Sequence, residues 1–289
     1  MKLILSRKGF DSSAGGVPSP IFEDNTMLSL PIPDETSIIT YDELKTHKSE
    51  SVGKIVSDLT NGKIKGKDNV HIDPDIFPGT IKRNNGWKPI FGQKDLAQSH
   101  LKNNGIGIGD IFLFFGLFRE VEKIKGVYQF DKSSRPKHVL WGWFQIGQII
   151  HLSKEETDNL SWAKYHPHFQ FENSKNNTLY IASEKLNIDK KELNINGSGV
   201  FRKYRVELCL SCPDSHKITD WVLPKWFYPE KGKIPLSYHK NLKRWKKDGS
   251  LCRLSSVGRG QEFVLDCNQY PESLNWIKEL IIKNFESNI

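Results

Sequence analysis

The first segment with residue types suited to chemistry is a short loop that follows an apolar N-terminal stretch. Its candidate residues are Arg7, Lys8, Asp11, Ser12, Ser13, Gly15 and Gly16. Exposed backbone N–H groups in such a loop would bind a phosphate together with the two cations and the serine hydroxyls, and Asp11 could act as a base or a metal ligand. The Gly-Lys-Ser/Thr ending of a Walker loop is absent. A sharp turn stabilised by aspartate and serine side chains is an equally good interpretation.

A second candidate segment lies near the end of the chain, from Ser255 to Asp266. Glycines flank Arg259, whose planar guanidinium suits a phosphate or a base edge. Gln261 and Glu262 have the donors and acceptors that read a base edge. Strand alternation would place Glu262 and Asp266 on one accessible face, as catalytic carboxylates, with the other face buried. The alternative is a glycine-rich hairpin with a surface ion pair.

Histidines and aspartates form two further patterns. His166 and His168 could chelate a metal or contact a phosphate, but no carboxylate or cysteine adjoins them. Surface histidines are therefore favoured over a metal site, and contact with substrate is the functional alternative. His71, Asp73 and Asp75 alternate along an extended segment and could bind a divalent ion. We favour a solvated loop here, so that no metal site is assigned and the cofactor stays unknown.

A basic and aromatic stretch runs from Trp221 to Trp245. Aromatic rings among cations suit stacking on bases while phosphates are neutralised. The alternative is that the tryptophans pack in the core while the lysines are solvated, and both descriptions can hold together. The residues predicted to contact nucleic acid are Lys240, Lys243, Arg244 and Trp245.

The cysteines give a weaker signal. Cys209 and Cys212 have the spacing that begins a zinc site, but a second pair is missing and His216 is the nearest further ligand. A core position for Cys209 is favoured over zinc. Four cysteines in 289 residues do not form a disulfide scaffold.

Composition limits the class of protein and of partner. Eight tryptophans and sixteen phenylalanines exclude a disordered chain. The net charge of +8 makes a polyanion such as nucleic acid the first partner to consider, although many lysine-rich proteins bind none. No apolar run approaches the ~20 residues that span a bilayer, and the N-terminus lacks signal-peptide features. We therefore expect a cytoplasmic protein with no membrane partner and with reduced thiols.

Periodicity and punctuation predict the secondary structure. Helices are expected within 41–59, with a capping box at Thr40 and Glu43, and at 94–103 and 273–285. Strands are expected at 2–6, 111–118, 138–151, 177–182, 200–210 and 261–266. Because strands and helices do not alternate, we predict an α+β fold with a largely antiparallel curved sheet or a small barrel, flanked by helices. One compact unit over 1–289 is expected, which two lobes of about 1–105 and 106–289 could form.

Four blocks of the sequence together resemble the nucleotide modification associated domain, type three, family. They are Ser6–Gly16 with Pro18–Pro20, Gly109–Gly116, Trp141–Gly147 and Gly258–Asp266. The resemblance implies association with the gene systems by which bacteria and phages modify DNA bases, and it assigns no catalytic residue. The two middle blocks also resemble the strand pair of PUA-like barrels, a class that includes readers of modified bases.

Three hypotheses follow for the function. The first is an enzyme acting on a nucleotide or DNA base, which predicts that the N-terminal loop and the Arg259 segment converge on one pocket. The second is a non-catalytic reader of modified or flipped bases, which predicts an aromatic pocket without clustered carboxylates. The third is an assembly factor for other modification enzymes, which predicts an exposed apolar patch and no deep pocket. The enzyme is ranked first because Asp11 accompanies Arg7.

Overall fold

The computed structural model describes residues 1–152, 157–171, 174 and 176–285. The strands are β1 Lys2–Arg7, β2 Ser19–Ile21, β3 Ile90–Gln93, β4 Ile111–Ile124, β5 Val127–Phe130, β6 Lys137–His151, β7 Thr178–Ala182, β8 Lys185–Ile188, β9 Lys191–Asn196, β10 Ser198–Val200, β11 Asp220–Pro224, β12 Trp245–Asp248, β13 Leu251–Ser255 and β14 Glu262–Asp266. The α-helices are α1 Val52–Leu59, α2 Asp95–Asn103 and α3 Glu272–Asn284.

A nine-stranded mixed sheet forms the centre of the molecule. Its main path runs β14-β1-β4-β6-β7-β3, and β10, β2 and β5 add to it from the side. β4 pairs in parallel with β1 and β2, and the other pairs of this sheet are antiparallel. Two smaller antiparallel sheets consist of β11-β13-β12 and β8-β9. The predicted α+β class is confirmed, and within the described ranges none of these sheets closes into a barrel.

The apolar run at the start of β4 explains the central position of this strand. Every residue over 111–116 is buried, as expected for a strand that is covered on both faces. Phe112 lies among Phe91, Tyr180 and Phe144, with ring centroids 5.0, 5.8 and 6.4 Å away. This aromatic cluster fixes the sheet on which the candidate residues are placed.

The strand β4 is longer than the sequence predicts. The apolar pattern indicates a strand only as far as residue 118, because charged side chains interrupt it beyond that point. In the structure the strand continues to Ile124 with residues that are more exposed. Pairing with β2 and β5 satisfies the backbone of this second half.

The N-terminal third packs around a second apolar cluster. Val52, Ile55, Val56 and Leu59 of α1 are buried in it together with Tyr41. The predicted capping box is confirmed, since the Glu43 carboxylate accepts hydrogen bonds from the Thr40 N–H and hydroxyl at 2.7 and 2.9 Å. It caps only a short 3-10 turn, however, and the α-helix begins at Val52.

The predicted strand over 200–210 is wrong. The chain leaves the sheet after Val200 and forms a 3-10 turn at Val206–Leu208. Backbone groups of Arg202 and Tyr204 bond instead to the turn at Asn25 and Met27. The backbone groups of this segment therefore bond to a turn that is distant in sequence and not to a neighbouring strand.

The predicted helices at 94–103 and 273–285 are confirmed as α2 and α3, each within one residue of the expected bounds. No helix in the described part of the chain is long and apolar enough to cross a membrane. The division into two lobes stays a prediction.

The position of β1 determines where the candidate residues meet. β1 runs parallel to β4 and antiparallel to β14, so that Ser6 lies opposite Glu262. The exit from β1 is therefore beside the entry into β14, although about 250 residues separate them in sequence. The N-terminal loop and the Arg259 segment lie at the same edge of the sheet.

Replacing Phe112 with alanine should lower the free energy of unfolding by about 3–5 kcal/mol, because the lost ring leaves a cavity in the aromatic cluster. Urea denaturation would measure the change. The control is Ile108→Ala, since Ile108 is 72% exposed and its loss should cost less than about 0.5 kcal/mol. Equal losses in both variants would contradict the central role of this cluster.

Candidate functional site

The two predicted segments line one cleft. The Arg7 N–H donates to the Gln261 carbonyl oxygen at 2.8 Å, and Arg7 Nη1 donates to the Gly258 carbonyl oxygen at 2.7 Å. The cleft that the two segments line has a volume of about 910 Å³. Its walls include residues of the N-terminal loop, of the Arg259 segment and of the start of α2.

Glu262 is the most deeply buried carboxylate of these two segments. It is 1% exposed, so the prediction that its face would be accessible is wrong. Oε1 accepts a hydrogen bond from Gln93 Nε2 at 2.7 Å and lies 3.1 Å from Lys8 Nζ. Oε2 has no hydrogen-bond partner within the described ranges. One oxygen of a buried carboxylate thus has unused hydrogen-bonding capacity beside the cleft.

The two arginines of the site differ in environment. Arg7 is largely enclosed, and burial lowers the pKa of its guanidinium although the Asp11 charge opposes the shift. Arg259 is exposed on the cleft wall and has no hydrogen bond or ion pair with any residue that the structure describes. Arg259 is therefore the cation available to an incoming anion.

Asp11 stabilises the turn of the N-terminal loop. Its Oδ1 accepts hydrogen bonds from the Ser13 N–H and hydroxyl, both at 2.7 Å, and from the Ala14 N–H at 2.9 Å. Asp11 and Ser13 also line the cleft. The structural and the functional interpretations of this loop therefore remain compatible.

Three other loop residues do not line the cleft. Ser12 is exposed, and Gly16 has a positive φ of 77°. Gly15 has a φ of 81°, and a Cβ there would lie 2.4 Å from the Phe10 ring. These residues shape the turn and do not face the cavity.

Asp266 lies outside the site. It occupies the far end of β14, where Oδ1 accepts a hydrogen bond from the Asn268 N–H at 3.0 Å. It is four positions along the strand from Glu262, which corresponds to about 13 Å. The structure therefore does not join these two carboxylates in one catalytic pair.

A group of imidazoles and a carboxylate forms a further wall of the cleft. His71 Nε2 and His168 Nε2 each lie 3.8 Å from Asp73 Oδ2. His166 is fully buried behind them, with Nε2 3.3 Å from Asp73 Oδ1. The predictions of a solvated loop at 71–75 and of surface histidines are wrong, because the chain folds these side chains against one another and away from solvent.

Gly92 of β3 holds this group together. Its N–H donates to Asp73 Oδ1 at 2.8 Å. The His168 ring lies directly over it, and a Cβ at position 92 would come within 2.3 Å of that ring. Any larger residue would displace the imidazole.

The protonation of the group follows from burial and neighbouring charge. Burial lowers the pKa of His71, but the hydrogen bond to Asp34 and the nearby Asp73 carboxylate outweigh that effect and raise the pKa to about 8. Burial lowers the pKa of His168 to about 3, against the charge of Asp73. Burial would raise the pKa of Asp73, but His166 and His71 hold it well below its usual range.

Asp75 continues the alternating pattern of His71 and Asp73 in the sequence, but its side chain does not contact the histidines. Arg83 Nη1 and Nη2 each donate to its carboxylate at 2.6 Å, and the Tyr165 hydroxyl donates to it as well. This buried ion pair fixes the segment that carries Asp73.

Several residues of the site escape prediction from the sequence. Gln93 and Lys94 line the cleft, but no sequence motif marks them as functional residues. Lys94 Nζ lies 3.4 Å above the Phe171 ring. Tyr238 is 47% exposed in the cleft and packs on His100 with ring centroids 4.4 Å apart. Tyr238 belongs to the basic and aromatic stretch, but nothing in its spacing distinguishes it from the neighbouring rings.

The predicted nucleic-acid residues lie outside the cleft lining. Trp245 is buried, and its Nε1 donates to the His239 carbonyl oxygen at 2.9 Å, so it cannot stack on a base. Lys240 and Lys243 are exposed, and Arg244 Nη1 donates to the Ser255 carbonyl oxygen at 2.8 Å. The bond from Arg244 places this basic turn beside the start of the Arg259 segment.

The cysteines are free thiols. Cys212 Sγ accepts a hydrogen bond from Arg253 Nη1 at 3.0 Å, and burial raises the pKa of Cys209. Neither belongs to a metal-ligand cluster within the described residues.

Charges of both signs line the cleft. Its cations are Arg7, Lys8, Lys94 and Arg259, and its carboxylates are Asp11, Asp34, Asp73, Asp95 and Glu262. Among the lining residues that the structure describes, carboxylates thus outnumber fixed cations.

The chain was compared with protein-family models, curated proteins and solved structures. The family model described as nucleotide modification associated domain 3 matches residues 2–266. This match confirms the resemblance seen in the sequence blocks. No curated protein and no solved structure matches the chain.

Replacing Gly92 with alanine should lower the free energy of unfolding by about 1–3 kcal/mol, because the new methyl group overlaps the His168 ring. Thermal unfolding would measure the loss. Gly107→Ala is the matched control, since a Cβ there meets nothing within 4 Å. A Gly92→Ala variant as stable as this control would contradict the tight contact.

Proposed function

Because the chain belongs to the nucleotide modification associated domain 3 family, we propose that it is an enzyme that modifies a nucleotide, free or within DNA, in this cleft. The family associates the chain with a nucleotide modification system. The convergence of the N-terminal loop and the Arg259 segment is the arrangement that the enzyme hypothesis predicts.

The buried carboxylate of Glu262 is the observation that carries the proposal. Its Oε1 is held by Gln93 and Lys8, which leaves Oε2 as an acceptor in a position shielded from solvent. A fixed carboxylate of this kind is suited to proton transfer with a bound base or sugar. Glu262 is therefore the proposed general acid or base.

The remaining residues suit recognition of the nucleotide. Arg259 is free to bind a phosphate, with Arg7 and Lys8 adding positive charge behind it. Tyr238, which is 47% exposed in the cleft, offers a ring on which a base can stack. Asp11, whose Oδ1 is held by the turn, is the second candidate for proton transfer.

The other two hypotheses receive less support. A reader would need no clustered carboxylates, whereas five line this cleft: Asp11, Asp34, Asp73, Asp95 and Glu262. The reader hypothesis was based on a resemblance to PUA-like barrels, and none of the described sheets closes into a barrel. An assembly factor would need no deep cleft, whereas this chain has one.

The basic turn that contains Lys240, Lys243 and Arg244 favours a DNA strand over a free nucleotide as the substrate, because these cations can neutralise further phosphates outside the cleft.

Changing Glu262 to glutamine should abolish the modified nucleoside while leaving the chain folded, because the amide keeps the size of the side chain but cannot accept a proton. The measurement is mass spectrometry of nucleosides digested from phage or host DNA, with the gene intact and with the variant. Asp266→Asn, at the far end of the same strand, is the control and should leave the nucleosides as in the wild type.

Unchanged nucleosides in a folded Glu262→Gln variant would remove Glu262 from the mechanism. Asp11→Asn then becomes decisive, since the amide oxygen still accepts the bonds of the turn. If that variant is also fully active, the proposed enzyme loses both of its candidate groups.

Changing Arg259 to alanine should weaken DNA binding and reduce the slope of log affinity against log salt by about 1, because one phosphate contact is lost. Fluorescence anisotropy with a labelled oligonucleotide at several salt concentrations would measure this. Lys191→Ala, on β9 and outside the cleft lining, should bind as the wild type. An unchanged slope for Arg259→Ala would show that this cation contacts no phosphate.

A further inference from the structure

We propose that His71, Asp73 and His168 bind one divalent first-row transition metal ion at the wall of the cleft. The ligands would be the two imidazole Nε2 atoms and Asp73 Oδ2. The three residues can offer donor atoms that all lie within 4.8 Å of one another. The inference rests on its own ligands and is independent of the chemistry proposed for Glu262.

The spacing of the donors suits an ion and not a hydrogen bond. Each Nε2 is 3.8 Å from Asp73 Oδ2, which is too long for a hydrogen bond. Metal–ligand bonds of about 2.1 Å place neighbouring donors about 3.0–3.5 Å apart. Small rotations of the three side chains would therefore close them around an ion.

Hydrogen bonds on the far sides of both rings orient the Nε2 atoms. His71 Nδ1 donates to Asp34 Oδ2 at 2.7 Å, and His168 Nδ1 donates to Asn177 Oδ1 at 2.6 Å. The Asn177 amide is itself oriented, because its Nδ2 donates to the His168 carbonyl oxygen at 2.7 Å. A partner at Nδ1 that fixes the ring in this way is typical of histidines that bind metals.

The same bonds decide which ring nitrogens accept an ion. With Nδ1 donating, the neutral His168 ring has its lone pair on Nε2. His71 Nδ1 also donates, so its Nε2 is the nitrogen that would bind the ion once unprotonated, because only the neutral imidazole binds a metal.

A hydrogen bond also orients the Asp73 carboxylate. Asp73 Oδ1 accepts from the Gly92 N–H at 2.8 Å and lies 3.3 Å from His166 Nε2. Asp73 Oδ2 has no such partner within the described ranges and faces the two imidazoles. The Gly92 N–H thus holds Oδ1, and Asp73 would bind the ion through the single oxygen Oδ2.

Donor type and access indicate the class of metal. Two imidazoles and one carboxylate favour Fe²⁺, Mn²⁺, Co²⁺ or Zn²⁺ over Mg²⁺ and Ca²⁺, which prefer oxygen ligands alone. His71, Asp73 and His168 all line the cleft, so the remaining coordination positions would face a substrate or water.

The test uses the full chain, stripped of metal by dialysis against a chelator and titrated with CoCl₂ while visible absorption is recorded. We expect one cobalt per chain and ligand-field bands, with ZnCl₂ displacing the cobalt. His71→Ala and His168→Gln should lose this binding. His216→Ala, which removes an exposed histidine outside the cluster, should retain it.

The Asp34→Asn variant provides a second test of the site in case the ligand variants do not fold. It keeps an oxygen acceptor for His71 Nδ1 but removes the charge, and should weaken cobalt binding by about 10–100-fold. Circular dichroism would establish that each variant is folded. A wild-type chain that binds neither ion, or folded ligand variants that bind as the wild type does, would overturn the proposal.

The two proposals fail separately. Cobalt binding that the ligand variants lose supports the metal site even if Glu262→Gln leaves the DNA nucleosides unchanged. Loss of the modified nucleoside in Glu262→Gln gives no support to a metal site in a chain that binds no cobalt.

Discussion

The placement of β1 between β4 and β14 is the constraint on which the site depends. Parallel pairing on one side and antiparallel pairing on the other bring the loop after Arg7 beside the entry to β14. The backbone groups of β1 are therefore paired on both sides. Pairing within the central sheet thus positions the two segments that line the cleft.

Burial gives the polar groups of the cleft their chemical character. Glu262 and Asp73 are both enclosed, and each has one oxygen held by fixed donors. An enclosed carboxylate is costly unless it is paired, so each residual oxygen favours a ligand that supplies a proton or positive charge. The two carboxylates thereby define two positions along one cleft, of which Glu262 is the one adjacent to the N-terminal loop. Around Asp73, the ion pair of Arg83 with Asp75 and the close contact of Gly92 with His168 maintain the geometry.

The sequence alone determined the elements whose patterns are local. Apolar runs located β4, β6 and β14, amphipathic periodicity located α2 and α3, and the Thr40–Glu43 spacing located a cap. It also nominated Arg7, Lys8 and Arg259, because glycine-rich loops and cations are visible without a fold. Family membership was recognisable from the same blocks.

Only the tertiary structure decided which residues share a site. The sequence placed His71 and Asp73 in one candidate pattern and His168 in another, and it could not join them, since residues about 100 positions apart have no spacing to recognise. Trp245 and Glu262 had side chains of the expected types, but their burial depends on strands that are distant in sequence. Local pattern fixes where the chain is helical or extended, whereas the contacts between distant segments fix which polar groups are enclosed together.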